Sequence, residues 1–204
     1  MSTELENVAF DEVRARPGGR SGRVREAVMQ AVRAELTAKG YSGISHRQVA
    51  LLAGVDHVTV YRRWPTRARL VADLIIEIAD TLVPIPDTGT IKEDLHAYLE
   101  SIVQLLLDPS IKPLMQAFVV ASVDGDEEVR TALSEIWNKR FTGAYTMLDR
   151  AVERGEIPPT IDRELLIEAL VAPVWFRVFI RQSPIDTLFL FKTVNKIILL
   201  ACAD

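Results

Sequence analysis

Residues 45–70, "SHRQVALLAGVDHVTVYRRWPTRARL", decide how the chain is read. Ser45 stands at a helix N-cap position, and Gln48, three residues on, completes a capping box. Ala53-Gly54-Val55 makes a short turn, and Asp56 is a good N-cap for the next short helix. Trp64-Pro65 stops that helix, because the residue before a proline is pushed out of the helical region. Two short helices joined by a tight glycine-containing turn form a helix-turn-helix, whose second helix enters a major groove. Along residues 56–63, His57, Val58, Tyr61 and Arg62 fall on one face, while Val60 and Trp64 point the other way. One face is therefore cationic and aromatic, and the other is fit for burial.

Charge supports a polyanion partner. The 204-residue chain has a formal net charge of -4. Yet residues 14–69 hold 12 Lys/Arg against three acids, whereas from Leu70 onward 12 bases face 21 acids. Segregation this sharp points to a nucleic-acid contact confined to the N-terminal quarter.

Outward from this segment the pattern is helical throughout. Residues 1–21 carry no sustained periodicity and read as a flexible basic arm. Its Arg14, Arg16 and Arg20 are suited to a phosphate backbone or a minor groove. Val24, Ala27, Val28 and Ala31 mark one face of a helix that ends near Gly40, a residue able to take the left-handed terminating conformation. Thr66 caps a helix with Leu70, Leu74, Ile78 and Leu82 at helical spacing. Residues 83–90, "VPIPDTGT", form a linker. Five more helices are expected. They start at Thr90 with Glu93 closing a capping box, at Asp108-Pro109, at about Asp126 (a long one, to about Arg154), at Asp162, and after a Ser183-Pro184 cap. No segment shows strand alternation. The fold expected is all-α, with about nine helices: an N-terminal three-helix helix-turn-helix domain, then a larger helical ligand-binding and dimerisation domain. The boundaries expected are 1–21, 22–66 and 67–204.

Within that frame, "GYSGISHRQVALLAGVDHVTVYRRWPTRARL" resembles the DNA-binding segment of the TetR-type (tetracycline-repressor-like) transcriptional regulators. The matching residues are Gly40-Tyr41, Val49-Ala50, Ala53-Gly54-Val55, Thr59-Val60-Tyr61, and Trp64-Pro65 followed by a basic residue and Leu70. Two positions depart from the family pattern: Val58, where a small residue is usual, and Arg67, where lysine is common. The resemblance implies that Arg47 contacts a base, for which a bidentate pairing with guanine suits arginine. It implies that His57, Val58 and Thr59 meet base edges or the adjacent phosphate. Tyr61, Arg62, Arg63 and Arg67 would hold phosphate, which sets position and not sequence. Trp64 reads as a core anchor to the following helix.

The acidic remainder invites two further expectations. The last two helices, "ELLIEALVAPVWFRVFIRQ" and "DTLFLFKTVNKIILLACA", are apolar on more than one face and need cover on several sides. A homodimer through this pair agrees with the resemblance. Met115, Phe118, Trp137 and Phe141, with Tyr145, Trp175 and Phe176, stand on predicted inward faces, and Pro173 interrupts one of the helices. The resemblance implies that some of them line a pocket for an unidentified small-molecule effector, apolar or aromatic in character. The function expected is sequence-specific binding of double-stranded operator DNA as a repressor released by that effector. The alternative is a constitutive DNA-binding dimer.

Other classes find little support. The three histidines are scattered, and no zinc-protease, P-loop or nucleophile-elbow motif is present, so no catalytic residue, metal or cofactor is expected. The lone Cys202 excludes an intrachain disulfide framework. The N-terminus lacks a signal-peptide pattern, and the longest apolar run, residues 169–176, falls far short of the roughly 18 residues of a membrane span. A cytoplasmic protein without a membrane partner is expected.

Overall fold

A computed structural model describes residues 19–123 and 127–202. Nine α-helices and no strands occur among them: α1 Arg20–Lys39, α2 His46–Ala53, α3 His57–Arg63, α4 Arg67–Leu82, α5 Ile91–Leu107, α6 Lys112–Val123, α7 Glu127–Glu153, α8 Arg163–Trp175 and α9 Thr187–Ala201. The all-α architecture matches the expectation. Arg14, Arg16, Asp126 and the side chains of Arg20 and Phe118 lie outside the described residues. Two compact units are formed, one through Leu74 and one from Ile75, so the division falls inside α4.

In the N-terminal unit α1 packs on α2, and α2 on α3. Val28, Val32, Val49, Val60 and Leu70 are buried there without exposed area. Gly54 closes α2 in the left-handed conformation at φ 64 and ψ 33, where a side chain would be strained. Gly40 also has positive φ, but its ψ of -178 places it outside the left-handed helical region. Asp56 caps α3 by accepting from Val58 N at 2.8 Å, and Thr66 Oγ1 accepts from Arg69 N at 3.2 Å. Ser45 departs from expectation. It occupies the N-cap of α2 in extended conformation, but its side chain accepts no cap hydrogen bond, so the capping box with Gln48 is not formed.

The C-terminal unit is built round α5, which packs against α6, α7, α8 and α9. Leu95, Leu99, Leu106, Met147, Leu148, Ile167 and Leu170 form its dry centre. Thr90 and Asp162 cap α5 and α8 as expected. Two starts are corrected. Asp108 ends α5 instead of opening α6: its carboxylate takes both Ser110 N and Ser110 Oγ, and the helix begins only at Lys112. The cap of α9 is Asp186, accepting from Phe189 N at 2.7 Å, and not Ser183. Along α4, Leu70, Leu74 and Ile78 are buried as predicted, but Leu82 in the last turn is exposed. The linker is tied down by Asp94, fully buried, whose Oδ1 accepts from Thr88 N and Thr88 Oγ1 at 2.7 and 2.8 Å.

Pro173 lies inside α8, and the chain runs on directly into a π-helical turn, Phe176–Arg181. Gln182 ends that turn with φ 50, the one positive-φ residue other than glycine among those described.

Candidate nucleic-acid interface and apolar cavity

The outward side of α3 assembles as the sequence pattern requires. His57, Val58, Tyr61 and Arg62 are all exposed along it, and Arg47 is exposed on α2. Val60 and Trp64 are buried beneath. Thr59, Arg63 and Arg67 are half-buried. Val58 is 58% exposed, an apolar side chain held in water at the start of α3, which suits a thymine methyl better than a phosphate. Asp56 fixes that first turn. Its replacement by alanine is expected to cost about 1 kcal/mol, read as lost hydrogen-exchange protection confined to α3.

His46, which the sequence reading passed over, positions the far end of the same helix. Its Nε2 lies 2.7 Å from the Trp64 carbonyl oxygen, and since a carbonyl only accepts, Nε2 carries the proton and donates. Its ring stacks on Tyr61, with centroids 4.3 Å apart and planes 18° apart. One imidazole of α2 thus holds both the last carbonyl of α3 and an exposed aromatic of the candidate reading face.

Two of the predicted phosphate-binding arginines are braced within the unit. Arg63 donates to Ser21 Oγ at 2.9 Å and to the Ser21 carbonyl at 3.3 Å. Arg67 donates to the Ser42 carbonyl at 3.0 Å, and its guanidinium lies 5.4 Å from the Tyr41 ring centroid. These acceptors are neutral oxygens, so they orient both guanidinium groups without cancelling their charge. Preformed orientation lowers the entropy lost when a phosphate arrives.

The C-terminal unit holds an apolar cavity of about 70 Å³, measured as the space open to the centre of a water molecule. Met115, Trp137, Phe141 and Trp175 of the predicted set line it. The two tryptophan rings meet edge-to-face at 5.2 Å and 70°. Phe176 is corrected: it is 54% exposed and faces away from the cavity. Trp175 already points inward, and the next residue on a helix lies about a quarter-turn or more round. Tyr145 is corrected too. It does not line the cavity. Loss of hydration raises its hydroxyl pKa above the usual value, and the carboxylates of Glu164, Asp162 and Glu168 push in the same direction.

Three contributions to the cavity escaped the sequence reading. Ile75, Ala79 and Val83 of α4 and its end form one wall. Tyr98 and Arg140 bring polar atoms to it. Tyr98 is buried, which raises its pKa above the ordinary phenol value, while a hydrogen bond from the Arg140 guanidinium and its positive charge work in the opposite direction. A signal for Arg140 existed: it interrupts the apolar stripe of α7 between Trp137 and Ala144.

Leu165, Phe176 and Ile180 stand exposed along α8 and its π turn, and Leu188, Phe191 and Leu199 along α9. Both sets recur at helical spacing, and the two helices pack side by side. Among the described residues no helix is long and apolar enough to cross a membrane, and no group of three His, Cys, Asp or Glu side chains is placed to hold a metal ion.

Comparison with known proteins fits this geometry. A family model described as the tetracyclin repressor-like C-terminal domain matches residues 85–197. The HTH-type transcriptional regulator AqdR of Rhodococcus erythropolis is 34% identical over 151 residues, 74% of this chain and 72% of that protein. The DNA-binding transcriptional repressor TetR of Mycobacteroides abscessus is 27% identical over 181 residues, 87% of this chain and 94% of that protein. The crystal structure of the TetR family transcription regulator SCO0332 superposes with a TM-score of 0.75 at 27% identity, covering 88% of this chain and 98% of that one.

Proposed function

The chain belongs to the TetR family of HTH-type transcriptional regulators, and from that premise we propose that it is an operator-binding repressor, acting as a homodimer and released by a small apolar or aromatic ligand. In this reading residues 1–21 are a basic arm, 22–66 the DNA-binding domain, and 67–204 the effector-binding and dimerisation domain of a cytoplasmic protein. The observation that carries the reading is the exposed, acid-free face of α3, with His57, Val58, Tyr61 and Arg62 side by side. Base edges are met by His57, Val58 and Thr59 with Arg47. Phosphates are held by Tyr61, Arg62, Arg63 and Arg67.

Release is a matter of coupling. α4 is one continuous helix that carries Arg67 at its start and the cavity-lining Ile75 and Ala79 farther on. A ligand that fits the cavity best in one setting of α4 changes the spacing of the two reading helices. Such coupling is typically about 1–3 kcal/mol and must act equally on ligand and DNA affinity.

Selection of bound DNA from a random pool tests the first half. A pseudo-palindrome is expected, with half-sites about one helical turn apart. On the selected site, Arg47→Ala is expected to cost roughly 1–3 kcal/mol at one base position. Arg62→Ala is expected to weaken all sequences alike and to reduce the salt dependence by about one unit. Equal, sequence-blind losses for both would sink the division of roles.

A constitutive dimer is the second reading, favoured by the tightness of the cavity, about 70 Å³ of water-centre space. Native mass spectrometry of the purified protein separates the two: a retained small molecule, displaced as operator is added, supports the ligand-released repressor.

A further inference from the structure

A guanidinium beside an apolar cavity is costly unless it is paired. Arg140, whose side chain is only 11% exposed, has three partners. It donates to the Val83 carbonyl at 2.6 Å, to Asp80 Oδ1 at 3.3 Å, and to the Tyr98 hydroxyl. Asp80 does not depend on it, because Lys139 Nζ holds the other carboxylate oxygen at 2.5 Å. The longer Arg140 bond can therefore be given up without orphaning the carboxylate. Lys139, Arg140 and Asp80 together leave one positive charge at this rim. Tyr98, accepting from Arg140, keeps its own hydrogen for another acceptor. Two donors and a net positive charge thus meet at one end of a cavity whose remaining wall is aliphatic and aromatic.

We propose that Arg140 and Tyr98 read an acid-type acceptor oxygen on a compact, largely aromatic effector, and that Arg140, drawn toward it, loosens its grip on the C-terminal end of α4. The inference rests on the effector reading of the cavity given above. It adds the chemical class of the ligand and the residue that reports its arrival. An anion gains charge-assisted, possible two-pronged hydrogen bonds from the guanidinium, and a cation is repelled. When Arg140 turns to the ligand, the Val83 carbonyl loses its side-chain donor. The helix end then rests on its backbone bond from Val83 N to the Ala79 carbonyl, 2.9 Å.

Three probes of one shape test this on the full chain: 2-naphthoate, 2-methylnaphthalene and 2-naphthylmethylammonium. Binding is read from quenching of Trp137 and Trp175 and from the melting temperature. The naphthoate is expected to bind about 10- to 100-fold tighter than the methylnaphthalene, with the ammonium weakest. Arg140→Met should erase that preference and leave methylnaphthalene affinity unchanged, and Tyr98→Phe should reduce it. Hydrogen exchange at Val83 and the last turn of α4 should quicken with naphthoate and not with methylnaphthalene. Equal affinities for the two probes would overturn the oxygen-reading assignment and leave the cavity as an effector site. A naphthoate preference with unchanged exchange at α4 would overturn the coupling through Arg140. If no probe quenches the tryptophans or shifts melting, the effector reading itself falls.

Discussion

Replacing Leu188 and Phe191 together by lysine will give a folded monomer that has lost about 100- to 10,000-fold in operator affinity, the factor by which linking two binding units exceeds either alone. Leu188 is 57% exposed and Phe191 48%, so neither substitution opens a cavity or removes a core contact. The buried side of α9, with Leu190, Val194 and Ile197, is untouched. Helix content and melting of the C-terminal unit should therefore stay close to those of the parent chain.

The loss comes from symmetry. In a two-fold dimer the same patch serves both copies, so two substitutions place four charges in one interface. Each buried, unpaired ammonium costs several kcal/mol. The apolar stripes of α8 and α9 are the natural occupants of such an interface, since contiguous exposed patches of this kind on a small protein mark association surfaces. Sedimentation and fluorescence anisotropy on a selected operator give the two readouts. A variant that stays dimeric with full affinity places the interface elsewhere. A monomer that keeps full affinity would mean that the chain reads its operator as a single unit.

What the sequence disclosed follows the range of the forces involved. Caps such as Asp56, Thr90 and Asp162 were legible because a cap needs one side chain and the next turn of backbone. Where two polar residues compete near a helix start, local pattern misleads. Ser183 precedes a proline, but Asp186 has the stronger acceptor and sits one residue before the helix begins. The outward face of α3 was legible for the same local reason, being set by helical spacing alone. The cavity's polar end was not, because Arg140 finds Asp80 and Val83 only after the chain has passed through nearly 60 residues. Phe176 was misplaced because neighbouring aromatics cannot share one helix face, a constraint that an inventory of large residues overlooks. The C-terminal half offered no firm motif to the eye, yet a family profile spans residues 85–197. Its pattern lies in the spacing of apolar positions over many helices and in no short string.

Trp64→Ala is expected to destabilise the N-terminal unit by about 3–5 kcal/mol, the range for deleting a buried tryptophan. Trp64 is 6% exposed and sits at the C-cap of α3 in a non-helical conformation, φ -130 and ψ 84. Its indole Nε1 donates to Asp73 Oδ2 at 3.1 Å, and Asp73 Oδ1 is paired with Arg25 of α1 at 3.2 Å. A single side chain thus ties the end of the reading helix to α4 and, through one carboxylate, to α1. The bond from His46 ends on the Trp64 carbonyl and survives the substitution, so the loss is that of volume and of the indole donor. Trp64→Phe separates these. It keeps most of the ring volume, removes the N–H, and leaves Asp73 its salt bridge, so a cost of about 1–3 kcal/mol is expected. Native-state hydrogen exchange gives the measurement in the intact chain. Protection should fall in α2 and α3 by the stated free energy and stay unchanged in α7 and α9. Operator affinity should fall with it, in both variants and in the same order, because a melted α3 presents no ordered face to a groove. A loss in α2 and α3 below about 1 kcal/mol for the alanine variant would show that the reading helix is held by the His46 bridge and the Asp56 cap without the indole.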